Sequence, residues 1–307
     1  MSAIRGPSGQ ASMRMKRILF AANFTETSAA ALPYAAALAR RFGAEICVFH
    51  VIPRDEYAHL DPQQRGGAIE EMKQTAARRI RGLLAESRFS DIPFRVTIEH
   101  GEVLAAVAAF ADREDVDLIV AGSHGRHGIQ KLLSPAVDEE IAGAAHRPVL
   151  LIGPDVSIAP EVETAIHRIL LATDFEAKSK PALDCAYALA ESFAADLWLM
   201  HVAENVWREP LSTRMTAEAF CRMRMAECGL PGHTRPAEPH FLVDFGPRET
   251  LILEAAAKQD VQLIVMGLPA IAHPELSAHL PGPLAYDIAS HAVCPVFVVR
   301  NAVDSGQ

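Results

Sequence analysis

Arg17-Ile18-Leu19-Phe20-Ala21-Ala22-Asn23-Phe24 returns later in the chain as Arg168-Ile169-Leu170-Leu171-Ala172-Thr173-Asp174-Phe175. The offset, 174 − 23 = 151, is kept at Phe49-His50-Val51 against Met200-His201-Val202. A register held across a strand, a helix and a second strand marks two copies of one unit. Units about 150 residues long are domain-sized and too long for solenoid repeats. Further on, Gly122 pairs with Gly267 at an offset of 145, and Pro148 with Pro295 at 147. The second copy is therefore shorter around its second crossover and slightly longer after its fourth strand.

Each copy alternates short apolar runs with helix-like stretches. Strands are predicted over Arg17–Ala22, Ala44–Val51, Phe94–Glu99, Asp117–Gly122 and Pro148–Ile152. Between them the pattern predicts helices from Thr27 or Ser28 to Arg41, then Ala68–Glu86, Glu102–Arg113 and Pro135–Ala145. The second copy repeats the order, with strands at Arg168–Thr173, Leu197–Val202, His240–Val243, Gln262–Met266 and Pro295–Val299. Its helices are expected at Ser179–Phe193, Thr213–Glu227, Arg248–Lys258 and Leu284–His291. Parallel strands need crossover connections, so strand–helix alternation reads as an α/β fold with a parallel sheet. The strands are almost continuously apolar, which fits a sheet covered by helices on both faces.

The expected division is a disordered lead-in (1–15), a first domain (16–153), a linker (154–166), a second domain (167–301) and a tail (302–307). The lead-in lacks the apolar stretch of a secretory signal, and Met13 and Met15 leave the true start codon open. A chain of 307 residues suggests about two domains on length alone. Its formal net charge of −9 argues against a nucleic-acid partner, which would call for a basic face. No apolar run approaches the roughly 18 residues of a membrane helix, so no membrane partner is expected. The five cysteines are odd in number and dispersed, without zinc-site spacing. That reads as a reduced, cytoplasmic protein with no metal.

In open α/β sheets, ligands bind outside the carboxyl ends of strands where the strand order reverses. For the order 3-2-1-4-5 this crevice lies between strands one and four. Distinctive residues stand at both tips: Asn23 and Asp174 after the first strands, and Gly122-Ser123-His124-Gly125-Arg126-His127-Gly128 after the fourth. Gly122, Gly125 and Gly128 allow a sharp turn that brings N–H groups near an anion. The helix expected from Pro135 adds a positive dipole end. The same glycines also suit a tight strand–helix turn with no ligand. Asp174 is equally a helix cap, and His124 and Arg126 suit a solvated loop. His50 and His201 read as structural, and the arginine runs Arg78-Arg79-Ile80-Arg81 and Arg222-Met223-Arg224 as solvated helix faces.

Taken together, these motifs resemble the universal stress protein family in its tandem two-domain form, over about Lys16 to Arg300. The strand-one turn is matched by Asn23-Phe24-Thr25 and Asp174-Phe175-Glu176, the Gly-Ser-His-Gly-Arg-x-Gly loop by Gly122 to Gly128. Pro148-Val149 and Pro295-Val296 match the entry to the last strand. The resemblance implies two tandem open five-stranded parallel sheets of order 3-2-1-4-5, Rossmann-like and of the adenine nucleotide alpha hydrolase-like type. It also implies an intramolecular pseudo-dimer joined edge to edge through the last strands, with a homodimer as a further partner state.

ATP-binding members of that family carry Gly-x-x-Gly, nine residues, then Gly and Ser or Thr. Here Gly122 and Gly125 fit, but Pro135-Ala136 stands where Gly-Ser is expected. Proline has no N–H to donate and alanine no hydroxyl. Losing two donors to a charged group weakens binding roughly tenfold to a thousandfold. The second copy keeps Asp174 but follows Gly267 with Leu268-Pro269-Ala270, without the second glycine. The resemblance therefore places a weakly held adenine nucleotide, ATP or AMP, mainly in the first domain. The candidate residues are Ala22, Asn23, Val51, Gly122, His124, Gly125, Arg126, Gly128, Pro135, Ala136 and Val137, with Thr173 and Asp174 in the second copy.

Neither a Gly-x-Ser-x-Gly elbow nor a Walker loop occurs, so no catalytic residue is assigned. The expected function is a cytoplasmic, nucleotide-responsive binding or signalling module in stress response, with weakened or absent ATP binding. The alternative is an interaction protein whose two pockets are both vestigial.

Overall fold

A computed structural model of the chain describes residues 13–123, 147–156, 166–175, 179–204, 208–227, 238–268 and 284–300. The first half contributes β1 (Arg17–Ala21), α1 (Glu26–Phe42), β2 (Glu45–Pro53), the single turn α2 (Arg54–Tyr57) and α3 (Pro62–Leu84). Then follow β3 (Phe94–Gly101), α4 (Val103–Arg113), β4 (Leu118–Gly122) and β5 (Val149–Ile152). The second half contributes β6 (Arg168–Ala172), α5 (Lys180–Phe193), β7 (Asp196–Val202), α6 (Leu211–Glu227) and β8 (His240–Asp244). It ends with α7 (Arg248–Lys258), β9 (Leu263–Leu268), α8 (Leu284–His291) and β10 (Val296–Arg300).

The strands form one sheet in the order β3-β2-β1-β4-β5-β10-β9-β6-β7-β8. Read from either edge the order is 3-2-1-4-5, so the sheet is two copies set edge to edge. Within each half all pairing is parallel. Only the seam is antiparallel, with Val296, Phe297 and Val298 opposite Leu151, Leu150 and Val149. Pairing β5 with β10 covers two strand edges that would otherwise offer unpaired backbone groups.

Alternate residues of each strand feed two cores. Ile18 and Phe20 belong to the core that also takes in residues of α1, α5 and Ile80 of α3, while Leu19 belongs to the core that takes in residues of α4, α7 and α8. Helices thus cover both faces, and the apolar strands are explained by burial on both sides.

The backbone itself records the duplication. Positive φ occurs at eight described residues, and all fall into repeat pairs. Phe24 (60°) and Phe175 (58°), then Gly43 (66°) and Ala194 (53°), are related by 151; Gly101 (146°) and Gly246 (149°), then Asp115 (46°) and Asp260 (49°), by 145. Left-handed backbone is costly for residues other than glycine. Its recurrence at matched places therefore shows the same turns built twice.

Several boundaries differ from the sequence reading. The cap of α1 is Thr25, whose side chain accepts from the Ser28 N–H, not Thr27 or Ser28. Helix α3 starts at Pro62 and runs straight through Gly66-Gly67, rather than beginning at Ala68. Proline suits a first helical position, and Arg65 Nη2 ties the new turn to the Ala58 and Leu60 carbonyls. Met15, assigned to the lead-in, is buried in the core at 2% exposure, with Met13 packed against it. The helix expected over Pro135–Ala145 lies outside the described residues.

Candidate functional site

The carboxyl ends of β1, β2 and β4 meet where the strand order reverses in the first half. Beyond β1 the chain turns through Ala22–Thr25, with Phe24 left-handed. Asn23 Oδ1 holds that turn by accepting from the Thr25 N–H (3.1 Å) and the Thr25 hydroxyl (2.7 Å). The Asn23 N–H donates to Ser28 Oγ at 3.2 Å. Both lone pairs of the amide oxygen are thus engaged inside the protein, in an Asx-type turn.

His50, on β2, clamps the same turn from the side. Its Nδ1 lies 2.7 Å from the Ala22 carbonyl, and its ring stands 4.6 Å from that of Phe24. A carbonyl only accepts, so Nδ1 carries the proton and Nε2 is left as an acceptor. Burial pushes the imidazole below its ordinary value of 6.5, outweighing the upward pull of the Ala22 bond. His50 is therefore neutral at pH 7. The guanidinium of Arg79 from α3 lies 4.1 Å from the Phe24 ring centroid.

Phe24, His50 and Arg79 all line a cavity of about 640 Å³. Its apolar walls come from Ala21, Ala22, Phe49, Val51 and Ile52 of the strand tips, Met72 and Ala76 of α3, and Leu104 and Val107 of α4. Asn23, Thr25, His50, Glu56, Glu71, Thr75 and Arg79 supply the polar groups. Gly122 closes the floor at the end of β4. A Cβ there would lie 2.5 Å from Thr27 Oγ1 and 2.8 Å from the Ser28 nitrogen. The immediate reason for this glycine is thus the close approach of β4 to the first turn of α1.

Ala22, Asn23, Val51 and Gly122 are accordingly brought together at one cavity. His124, Gly125, Arg126, Gly128, Pro135, Ala136 and Val137 lie outside the described residues. Thr173 and Asp174 stand at the matching tip of the second half, far along the sheet from the first-half cavity. There Thr173 Oγ1 accepts from the Phe175 N–H at 3.1 Å, and the Thr173 carbonyl meets His201 Nδ1 at 2.9 Å. Asp174 Oδ1 accepts from the Ser179 hydroxyl at 2.6 Å, just before α5. The Phe175 and His201 rings stand 5.1 Å apart. Arg224 of α6 donates from Nη2 to the Phe175 carbonyl at 3.4 Å.

Arg79 and Arg224 are therefore more than solvated helix faces. They share the 145 offset of the later repeat (224 − 79 = 145), and each reaches the left-handed phenylalanine of its own half. Aligning the two arginine runs by the repeat register exposes this pairing in the sequence.

The model of the universal stress protein family matches this chain twice, over residues 15–153 and 165–300. The chain belongs to that family. Among curated relatives, universal stress protein MJ0531 of Methanocaldococcus jannaschii is 27% identical over 146 residues, 45% of this chain and 81% of that protein. Universal stress protein MJ0577 of the same organism is 25% identical over 162 residues, 46% of this chain and 96% of that protein. Each such relative corresponds to one half. A solved universal stress protein from Archaeoglobus fulgidus DSM 4304 aligns over 95% of this chain and 98% of its own, with a TM-score of 0.65 and 18% identity. At that identity the likeness speaks to the fold, and it spans both halves. Membership of the universal stress protein family supports a role in stress response.

Among the described residues, no group of three or more His, Cys, Asp or Glu side chains is placed to hold a metal ion. No described helix is long and apolar enough to cross a membrane.

Proposed function

We propose that this tandem universal stress protein is a cytoplasmic binding and signalling module, not a catalyst, that responds to an adenine nucleotide held in its first half. The observation that carries the reading is the cavity at the reversal of strand order, lined by Ala22, Asn23, Val51 and Gly122. Its volume of about 640 Å³ suits a nucleotide-sized ligand. Apolar walls suit a base, and the polar groups among the lining suit ribose and phosphate. Among the described residues lining the cavity no nucleophile–base pair is evident, which favours binding over turnover. The β5–β10 seam makes the two halves a pseudo-dimer, through which occupancy of one half can be felt by the other.

Pro135 and Ala136 remove an N–H and a hydroxyl from the expected phosphate contacts, so binding is weak. Titration calorimetry with AMP, ADP and ATP tests this directly. Replacing Pro135 by Gly together with Ala136 by Ser is expected to tighten ATP about tenfold or more. Absence of heat at millimolar nucleotide, in both proteins, would remove the nucleotide reading and leave an interaction protein with vestigial pockets.

A further inference from the structure

Arg79 is the unusual group at the cavity. It is exposed on α3, stacked over Phe24 and part of the cavity lining. A guanidinium held over a ring by cation–π attraction still carries five N–H donors for hydrogen bonding. Among the described residues no carboxylate stands within ion-pair distance of it, although Glu56 and Glu71 line the same cavity. Glu71 precedes Arg79 by eight residues, about 12 Å along the helix axis. The wall formed by α3 is thus acidic towards one end and basic at the other. In the second half the matching Arg224 is bonded to the Phe175 carbonyl instead.

We propose that Arg79 is the cationic anchor of the first-half cavity, binding the phosphate of an adenine mononucleotide beside Phe24. This rests on the nucleotide reading above and adds where the charge is met. An anchor on α3 does not depend on the donors that Pro135 and Ala136 remove, and it offers one bidentate fork suited to a single phosphate. AMP and ATP therefore bind within a few-fold of each other, and both bind more tightly than adenosine.

The test is titration of the full chain and of Arg79→Gln and Arg79→Lys with adenosine, AMP and ATP, at low and high salt. Arg79→Gln is expected to weaken AMP about tenfold, a modest figure because the arginine is exposed. Adenosine affinity should stay within about twofold, since that ligand carries no charge for the arginine to meet. The lysine variant should fall between, and the salt dependence of AMP binding should flatten in the glutamine variant. Three outcomes overturn the proposal. If AMP binds both proteins equally, the nucleotide reading stands and the anchor falls. If adenosine weakens in parallel with AMP, Arg79 only packs Phe24. If the wild-type chain binds neither adenosine nor AMP, both readings fall together.

Discussion

The two halves share a backbone and differ in what hangs on it. At the tip of the first strand, both place a left-handed phenylalanine against a histidine whose Nδ1 meets the carbonyl two residues before that phenylalanine. Both bring an arginine from the second crossover helix to the same residue. Yet one half has Asn23 accepting from Thr25, and the other has Asp174 accepting from Ser179. The glycine that caps α1 is an alanine after α5. The two copies therefore keep the same turn dihedrals, where a wrong angle disrupts the whole strand–helix junction, while individual side chains at those turns differ.

The seam between the halves is the sharpest place to break this symmetry. Gly153, just past β5, lies against the last helix of the other half: a Cβ there would stand 2.0 Å from the Ala289 carbonyl oxygen. Its repeat partner, at the 147 offset, is Arg300, a buried cation whose burial lowers its pKa to about 10. The two sides of the seam are thus not interchangeable. Gly153→Ala is expected to destabilise the protein by about 3 kcal/mol or more, the upper range for overpacking, as read by urea denaturation. The obstacle is backbone, so Ala289→Gly should not rescue it. An unchanged midpoint would mean that the halves do not meet there.

Much of this architecture was legible in the sequence, because the repeat register and the double-sided apolar strands each carry a physical meaning. The strand order and the edge pairing through β5 and β10 accord with the family resemblance. What escaped was local. Helix α3 passing through Gly66-Gly67 was hidden because glycine pairs usually signal turns, and only the preceding Asp61-Pro62 marks the start. Gly122 was legible as a special position, but its nearest constraint, the first turn of α1, is a contact between elements distant in sequence. Arg79 looked like one member of a surface run. Its stacking on Phe24 depends on a left-handed turn that no composition rule reveals.

A smaller effect separates the helix ends. Gly43 and Ala194 both occupy left-handed C-cap positions, with φ of 66° and 53°. Glycine accepts this conformation without the steric cost that a Cβ brings, offset in part by its larger unfolded-state entropy. Gly43→Ala should therefore cost about 0.5–1 kcal/mol, and Ala194→Gly should gain about as much. Calorimetric melting of the two variants and their combination checks this. A destabilised Ala194→Gly would show that the second copy has adapted its cap to alanine.

The subtlest difference lies in protonation at the first-half clamp. Burial holds the folded-state pKa of His50 below 6.5, so between those two values the unfolded chain binds the extra proton. Stability contributed by neutral His50 is thus complete above pH 6.5 and declines as pH falls through the window beneath it. The slope from one group cannot exceed about 1.4 kcal/mol per pH unit. His50→Gln keeps a donor near the Ala22 carbonyl but cannot titrate. The stability gap between wild type and this variant should therefore narrow as urea melts are taken from neutral to mildly acidic pH. A gap that stays constant would mean that protonating His50 leaves its bond to Ala22 and its place against Phe24 undisturbed. The cavity mouth would then be open to solvent on the histidine side, and the apolar wall of the first-half cavity would be incomplete.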